Sequence, residues 1–220
     1  MTLTDAPTPH LQAVCAGELE VVGTGRSAHR SGIRKRPLAG GVHVDERGVP
    51  GDHIGDVEDH GGIDQALYAY AVEDATWWAE ELGRELPAGS FGENLRTVGI
   101  DPTAARIGDR WRLGDEVEVV VTGPRIPCAT LAAAWDERGI VDRFLRAGRL
   151  GAYLRVTRPG PLVAGDQLEP RGSAPPGTLT VGEVAVILTR QRHRASELLD
   201  LPALAHRVRD WAAEVTTARG

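Results

Sequence analysis

The sequence predicts a mostly-β fold with a few helices: a small β-barrel followed by a helical tail. Three observations lead there. Valines alternate through Val117, Val119 and Val121, the period-two signature of a strand. The stretch "GAYLRVTRPGPLVAGDQLEP" (151–170) reads as two short strands around a Pro-Gly turn, a pattern typical of small barrels. Beyond "RGSAPPGT" (171–178), a linker by composition, the spacing of apolar residues becomes helical.

Taken in order, "LQAVCAGELEVVGT" (11–24) predicts a strand pair about a Gly turn, with Cys15 as a small core side chain. Residues 26–36 carry five basic side chains and no acid, whereas residues 45–59 carry six acids and one arginine. These segments read either as two solvated faces of opposite sign or as a basic wall for an anion beside an acidic loop. "GVPGDHIGDVEDHGGIDQ" (48–65) is too rich in Gly and Asp for a regular element. Asp64 is then expected to cap a helix of about five turns, with Leu67, Tyr70, Ala71, Ala75, Trp78 and Leu82 on one face and Gly83 helping to stop it. "PAGSFGENL" (87–95) is a second Gly-rich loop. Residues 107–123 predict a strand, or a hairpin around Gly114-Asp115, and residues 129–147 are helical in parts. Thr180 and Glu183 fit a capping box ahead of the Val184, Ile187, Leu188 face. "ASELLDLPALAHRVRDWAAEV" (195–215) reads as two further short helices, with Pro202 at an allowed first-turn position. The chain therefore divides into a barrel domain over 1–172 and a three-helix subdomain over 178–220. About 40 residues bury little alone, so this tail must dock on the main body or on a second chain; a homodimer is one such arrangement.

The chain has 220 residues, 41% hydrophobic and 25% charged, enough for a real core. Its net charge of −6 carries no nucleic-acid signature. No apolar run reaches the ~18 residues of a membrane span, and no secretory signal is visible at the start. Two cysteines, Cys15 and Cys128, make no disulfide framework, so a cytoplasmic protein with reduced thiols is expected.

Three polar stretches can carry chemistry. In "DHGGIDQ" (59–65), Gly61 and Gly62 behind His60 let backbone N–H groups approach a ligand, and a following helix N-terminus would favour an anion; the alternative is a plain Gly turn. In "FGENL" (91–95), Glu93 and Asn94 offer a carboxylate and an amide, either to a ring edge or to a turn. In "TGPRIPCATL" (122–131), Pro124 and Pro127 fix an extended path and leave Cys128 at a rigid strand exit. Arg125 is close enough in sequence to favour its thiolate, although a lone cysteine is more often structural. No Cys-x-x-Cys, His-Glu-x-x-His, P-loop, Rossmann or Gly-x-Ser-x-Gly signature is present. His53 and His60 among Asp52, Asp56 and Asp59 are weak evidence for a metal cluster.

"SGIRKRP", residues 48–78, "GSFGENLRTVGI", "IGDRWRLG", "PRIPC" and "VAGD" occur in that order. Together they resemble the MOSC-domain family, named for the C-terminal domain of molybdenum-cofactor sulfurases, and within it the stand-alone YiiM-like branch. The resemblance covers roughly residues 10–170, and the helical tail resembles the three-helix appendage of that branch. Glu58-Asp59 stand before His60 where relatives often carry a second histidine. The resemblance implies a MOSC-type β-barrel, the molybdenum cofactor (molybdopterin) rather than pyridoxal phosphate, and Cys128 as molybdenum ligand or sulfur carrier. It implies an oxidoreductase reducing N-hydroxylated compounds, with an external redox partner because no flavin or iron–sulfur motif is present. Arg34, Lys35 and Arg36 would hold the pterin phosphate; Asp52, His60, Gly61, Gly62, Asn94 and Arg125 would bind cofactor or line the pocket. Lys35→Ala is expected to weaken cofactor retention and leave the melting temperature nearly unchanged. The alternative is a Cys128 persulfide carrier or cofactor chaperone without turnover of its own. No membrane or nucleic-acid polymer partner is expected.

Overall fold

The structure, a computed structural model, describes residues 7–25, 28–53 and 61–218. An eight-stranded sheet forms the body, in the order β12-β8-β9-β10-β6-β7-β1-β4. Its strands are β1 (His10–Ala16), β4 (Arg36–Pro37), β6 (Leu67–Ala71), β7 (Leu95–Val98), β8 (Arg110–Leu113), β9 (Val117–Pro124), β10 (Ala152–Arg158) and β12 (Leu168–Gly172). All neighbours are antiparallel except β6 and β7. Two small ribbons flank it: β2 (Glu20–Val22) with β3 (His29–Ser31), and β5 (Val42–Val44) with β11 (Gly160–Leu162).

The sheet is not a closed barrel. Its terminal strands are β12 and β4, and the curl brings β1 only to the turn ahead of β12. There Leu11 N–H donates to Asp166 O at 2.8 Å, Leu168 N–H donates to Pro9 O at 2.9 Å, and His10 and Gln167 form a single bridge. Residues 163–167 are occupied by a turn, where the Asp166 carboxylate accepts from Val163 N–H at 2.8 Å. No strand length remains there for a second ladder.

The β8–β9 hairpin forms as the alternation predicts, with Leu113 opposite Val117. The pairing expected within residues 11–24 does not: β1 pairs with β4 and β7, and β2 with β3. Likewise β11, which begins at Gly160 directly after Pro159, pairs with β5 rather than β10.

The expected five-turn helix is shorter. Residues 67–71 are strand β6, and the helix α1 covers only Val72–Leu82, ending at Gly83 in the left-handed region. All five residues of β6 are buried, because its two faces enter different cores. Leu67 and Ala69 join the main core with Leu11, Val119, Val121 and Leu154. Tyr68 and Tyr70 join an aromatic cluster with Trp78, Phe91, Trp135 and Phe144. An unbroken apolar run fits a helical or a strand period equally, so spacing could not separate them. Asp64 caps no long helix: it lies in a single 3-10 turn, Ile63–Gln65.

The aromatic cluster is completed by two short helices, α2 (Ala129–Trp135) and α3 (Ile140–Ala147). In the tail, α4 (Val181–Thr189), a 3-10 helix (Arg192–Leu198) and α5 (His206–Thr217) follow. The capping box is present: Thr180 Oγ1 accepts from Glu183 N–H at 3.2 Å, and Glu183 accepts from Thr180 N–H at 2.8 Å. Val184, Ile187, Leu198 and Leu204 pack into the same core as the sheet, so the tail docks on the body. Asp64 helps to hold it, accepting from His206 N–H at 2.8 Å while its other oxygen takes the Arg155 guanidinium at 2.7 Å.

Candidate functional site

Strand β9 runs out at Pro124, and residues 125–127 leave it without regular structure. Pro127 cannot donate to a ladder. Cys128 follows in an extended conformation, φ −130° and ψ 174°, at the N-cap of α2. Its carbonyl accepts from Leu131 N–H at 3.1 Å, so the helix start fixes its backbone. Its side chain lines a cleft of about 500 Å³. Arg125 lies beside it, only 5% exposed, with one guanidinium nitrogen 4.0 Å from Cys128 Sγ and another donating to Ile126 O at 3.3 Å. No carboxylate pairs with Arg125 among the described residues. A buried guanidinium without an acid is costly unless an anionic or electron-rich partner faces it.

A polar network forms another wall. Asp52 accepts from Gly17 N–H and from Asn94 Nδ2, both at 2.8 Å, and is ion-paired to Lys35. Asn94 also donates to Cys15 O at 3.3 Å, and its Oδ1 accepts from Tyr68 N–H at 3.2 Å. The network needs a close backbone crossing. A Cβ on Gly32 would lie 1.7 Å from His53 O, and one on Gly17 would lie 2.2 Å from Gly32 O. Only glycine permits both approaches.

Tyr68, Tyr153 and Phe91 border the cleft, Tyr68 and Phe91 almost wholly buried in its wall. Burial raises the pKa of both tyrosines, outweighing the nearby Arg125 charge, so their phenols stay neutral. Tyr68 Oη donates to Leu150 O at 2.7 Å. His29, Arg30 and Ser31 of β3 complete the rim, where a His29 ring nitrogen meets Thr130 Oγ1 at 3.1 Å.

Of the residues singled out from sequence, Lys35, Asp52, Asn94, Arg125 and Cys128 line this one cleft. Arg34 and Arg36 do not. Arg34 donates to Ala134 O at 3.4 Å and borders a separate hollow of about 250 Å³, while Arg36 is ion-paired to Glu20 at 2.6 Å on the outer surface. Gly61 and Gly62 are not among the lining residues, and the 3-10 turn after them spans three residues, too short to accumulate a helix dipole. His60, with Asp56 and Asp59, lies outside the described residues. Among the described residues no three His, Cys, Asp or Glu side chains converge as a metal site. Glu93 belongs to the turn: fully buried, it accepts from Gly89 and Phe91 N–H at 2.7 and 2.9 Å and pairs with Arg96. Sequence reasoning did not single out Tyr68, Tyr153 or His29 for the site, and it reached Arg30 and Gln65 only as members of the stretches 26–36 and 59–65.

The two cysteines differ sharply, and neither forms a disulfide. Cys15 is inaccessible, and burial, with Glu93 adding to it, pushes its thiol up to about 12. Cys128 is partly exposed.

Curled sheet, paired prolines and cleft cysteine together mark a class. A model of the MOSC domain matches residues 56–169, just over half the chain, and the protein belongs to the MOSC-domain family. Within that family it is YiiM-like. It is 33% identical over 142 residues to YiiM of Escherichia coli, covering 63% of each chain. To the uncharacterized YflK of Bacillus subtilis it is 37% identical over 139 residues, 63% of this chain and 62% of YflK. A Gibberella moniliformis protein named Reductase is 33% identical over 172 residues, 76% of this chain but 30% of that protein. The matches thus span less than two thirds of these relatives' own lengths. Among solved structures, YiiM of Geobacillus stearothermophilus superposes with a TM-score of 0.77 at 25% identity, covering 94% of this chain and 98% of that one. YiiM of Escherichia coli gives 0.70 at 25% identity over 91% and 92%. No helix among the described residues is long and apolar enough to cross a membrane.

Proposed function

We propose that the protein is a molybdenum-cofactor oxidoreductase that reduces N-hydroxylated compounds, with Cys128 as the metal's protein ligand. The observation that carries this reading is the placement of the Cys128 thiol in a largely apolar cleft beside a buried guanidinium that no acid among the described residues neutralises. A soft sulfur donor suits a metal already held by a dithiolene. The cleft volume of about 500 Å³ falls in the range of cofactor sites.

The residues present fit the group in kind. Arg125, Arg30 and His29 offer cationic or hydrogen-bonding contacts to a phosphate-bearing pterin, and Tyr153 offers an apolar ring. When bound, the cofactor supplies a two-electron redox centre able to take oxygen from the substrate. The chain's own part is to fix the thiolate and offset its charge with Arg125. Lys35 and Asp52, paired to each other, act by holding the wall rather than by gripping phosphate. Arg34 and Arg36 would serve only a ligand extending beyond the cleft. The fungal relative's name, Reductase, supports redox chemistry. Electrons would come from an external redox partner.

The partly exposed Cys128 also suits a persulfide carrier or a cofactor chaperone. Metal and sulfur analysis of protein made in a cofactor-competent host separates the readings. Stoichiometric molybdenum supports the reductase; cyanide-releasable sulfur without molybdenum supports the carrier and overturns it.

A further inference from the structure

One donor of the cleft has no part in the foregoing account. The chain has three tyrosines, and two of their phenols are committed: Tyr68 Oη donates to Leu150 O at 2.7 Å and Tyr70 Oη to Arg149 O at 2.9 Å. Tyr153 differs. It stands on β10, lines the cleft and is partly exposed. Its Oη makes no hydrogen bond among the described residues. Nor is it sealed: the unpartnered side-chain atoms cut off from solvent belong to Gln65, Trp78, Thr97, Arg112 and Arg155. The Tyr153 hydroxyl is therefore open to a ligand in the cleft.

Its neighbours fix where it points and how it bonds. The backbone is held, because Thr122 Oγ1 donates to Tyr153 O at 3.0 Å and Tyr153 pairs with Gly123 of β9 and Tyr68 of β6. The Tyr68 ring, 5.5 Å away at 48°, restricts the Tyr153 ring. The charges that act on the phenol are those of Arg125 and Cys128, so the hydroxyl lies on their side of the cleft. Arg125 has no carboxylate partner among the described residues, and its charge attracts the phenol oxygen and turns the O–H dipole outward. Tyr153 thus presents a proton, not a lone pair. A ligand that displaces water from this O–H without accepting from it loses affinity. One placed polar group in a largely apolar cleft sets the ligand's orientation.

We propose that Tyr153 is a substrate-binding residue whose phenol donates a hydrogen bond to the N-bonded oxygen of an N-hydroxylated compound, holding that oxygen at the Cys128 end of the cleft. The proposal rests on the substrate class given under the proposed function and adds the group that recognises its oxygen.

Calorimetric titration tests this on the full chain purified from a cofactor-competent host, with no electron donor supplied. The probes are 6-hydroxylaminopurine and adenine, which differ by one oxygen atom. Wild type is compared with Tyr153→Phe, which keeps the ring. In wild type the hydroxylated probe should bind about three- to tenfold more tightly. In Tyr153→Phe that preference should fall below about twofold, with adenine affinity unchanged. The melting temperature should stay within about 2 °C of wild type, since the hydroxyl has no partner to lose among the described residues. Binding of neither probe to wild type up to millimolar concentrations, or a preference that survives in Tyr153→Phe, overturns the proposal. A surviving preference with a lower pterin content in the variant would assign the phenol to the cofactor instead. The reductase reading fails separately. Wild type that shows the preference, loses it in Tyr153→Phe, yet does not convert the hydroxylated probe to adenine when given reductant keeps the contact and overturns the reaction.

Discussion

Replacing Lys35 by methionine removes one charge from a buried pair while keeping most of its volume. The side chains of Lys35 and Asp52 are 8% and 7% exposed. Without the ammonium group, the Asp52 carboxylate stays buried, and among the described residues only the Gly17 N–H and the Asn94 amide still donate to it. Breaking a buried ion pair from one side costs about 3–5 kcal/mol. Two surviving donors place this case at the low end, about 3 kcal/mol. A chain of this size loses about 2–4 °C per kcal/mol, so the melting temperature should fall by about 6–12 °C. The double variant Lys35→Met/Asp52→Asn should recover about half of the loss, because an amide oxygen still accepts from Gly17 and no charge is stranded. Calorimetric melts of the wild type, both single variants and the double variant give the coupling directly. A Lys35→Met melt within about 2 °C of wild type would refute the reasoning. It would restore the sequence-based expectation that this lysine is a phosphate contact with little weight in stability.

Three further outcomes follow from the same structure. Mild alkylation of native protein should modify Cys128 well before Cys15, whose thiol is inaccessible and pushed up to about 12; preferential labelling of Cys15 contradicts the burial argument. Burial alone would raise the Asp64 pKa, but the His206 amide and ring and the Arg155 guanidinium outweigh it and hold it below the usual value. Its stabilising contribution is therefore complete above the unfolded carboxylate pKa of about 3.9 and is lost as pH falls through the lower folded value. Asp64→Asn should accordingly destabilise at pH 7, and urea melts should show the difference from wild type closing in strong acid; a constant difference contradicts the linkage. Thr180→Ala removes the capping hydroxyl of α4 and should cost about 1 kcal/mol, or about 2–4 °C in a thermal melt; no shift would show that the cap contributes nothing.

What the sequence disclosed was local chemistry. The β8–β9 hairpin, the Thr180 capping box and the Cys128 exit rest on residues within a few positions of each other, and each was legible. Strand β6 was not, because Leu67–Ala71 is apolar at every position and only the two cores on its faces decide its period. The roles of Lys35 and Asn94 were legible as polarity but not as partners. Asp52 meets them from 17 and 42 residues away, and only the fold spends their hydrogen-bonding capacity on one another. Arg36 looked equivalent to Lys35 in the basic run, yet it points to Glu20 on the outside. The barrel expectation failed at a single seam, where the turn at 163–167 takes the place of a strand beside β1.

The claim that Cys128 supplies a sulfur to molybdenum is tested most directly by X-ray absorption at the molybdenum edge, on wild type and Cys128→Ser loaded in the same cofactor-competent host. Serine keeps the shape and the N-cap position but is a poor soft ligand, and the proline frame around it is unchanged. The account predicts one sulfur fewer around molybdenum in the variant, with the fold retained. An equal sulfur count in both proteins would contradict it.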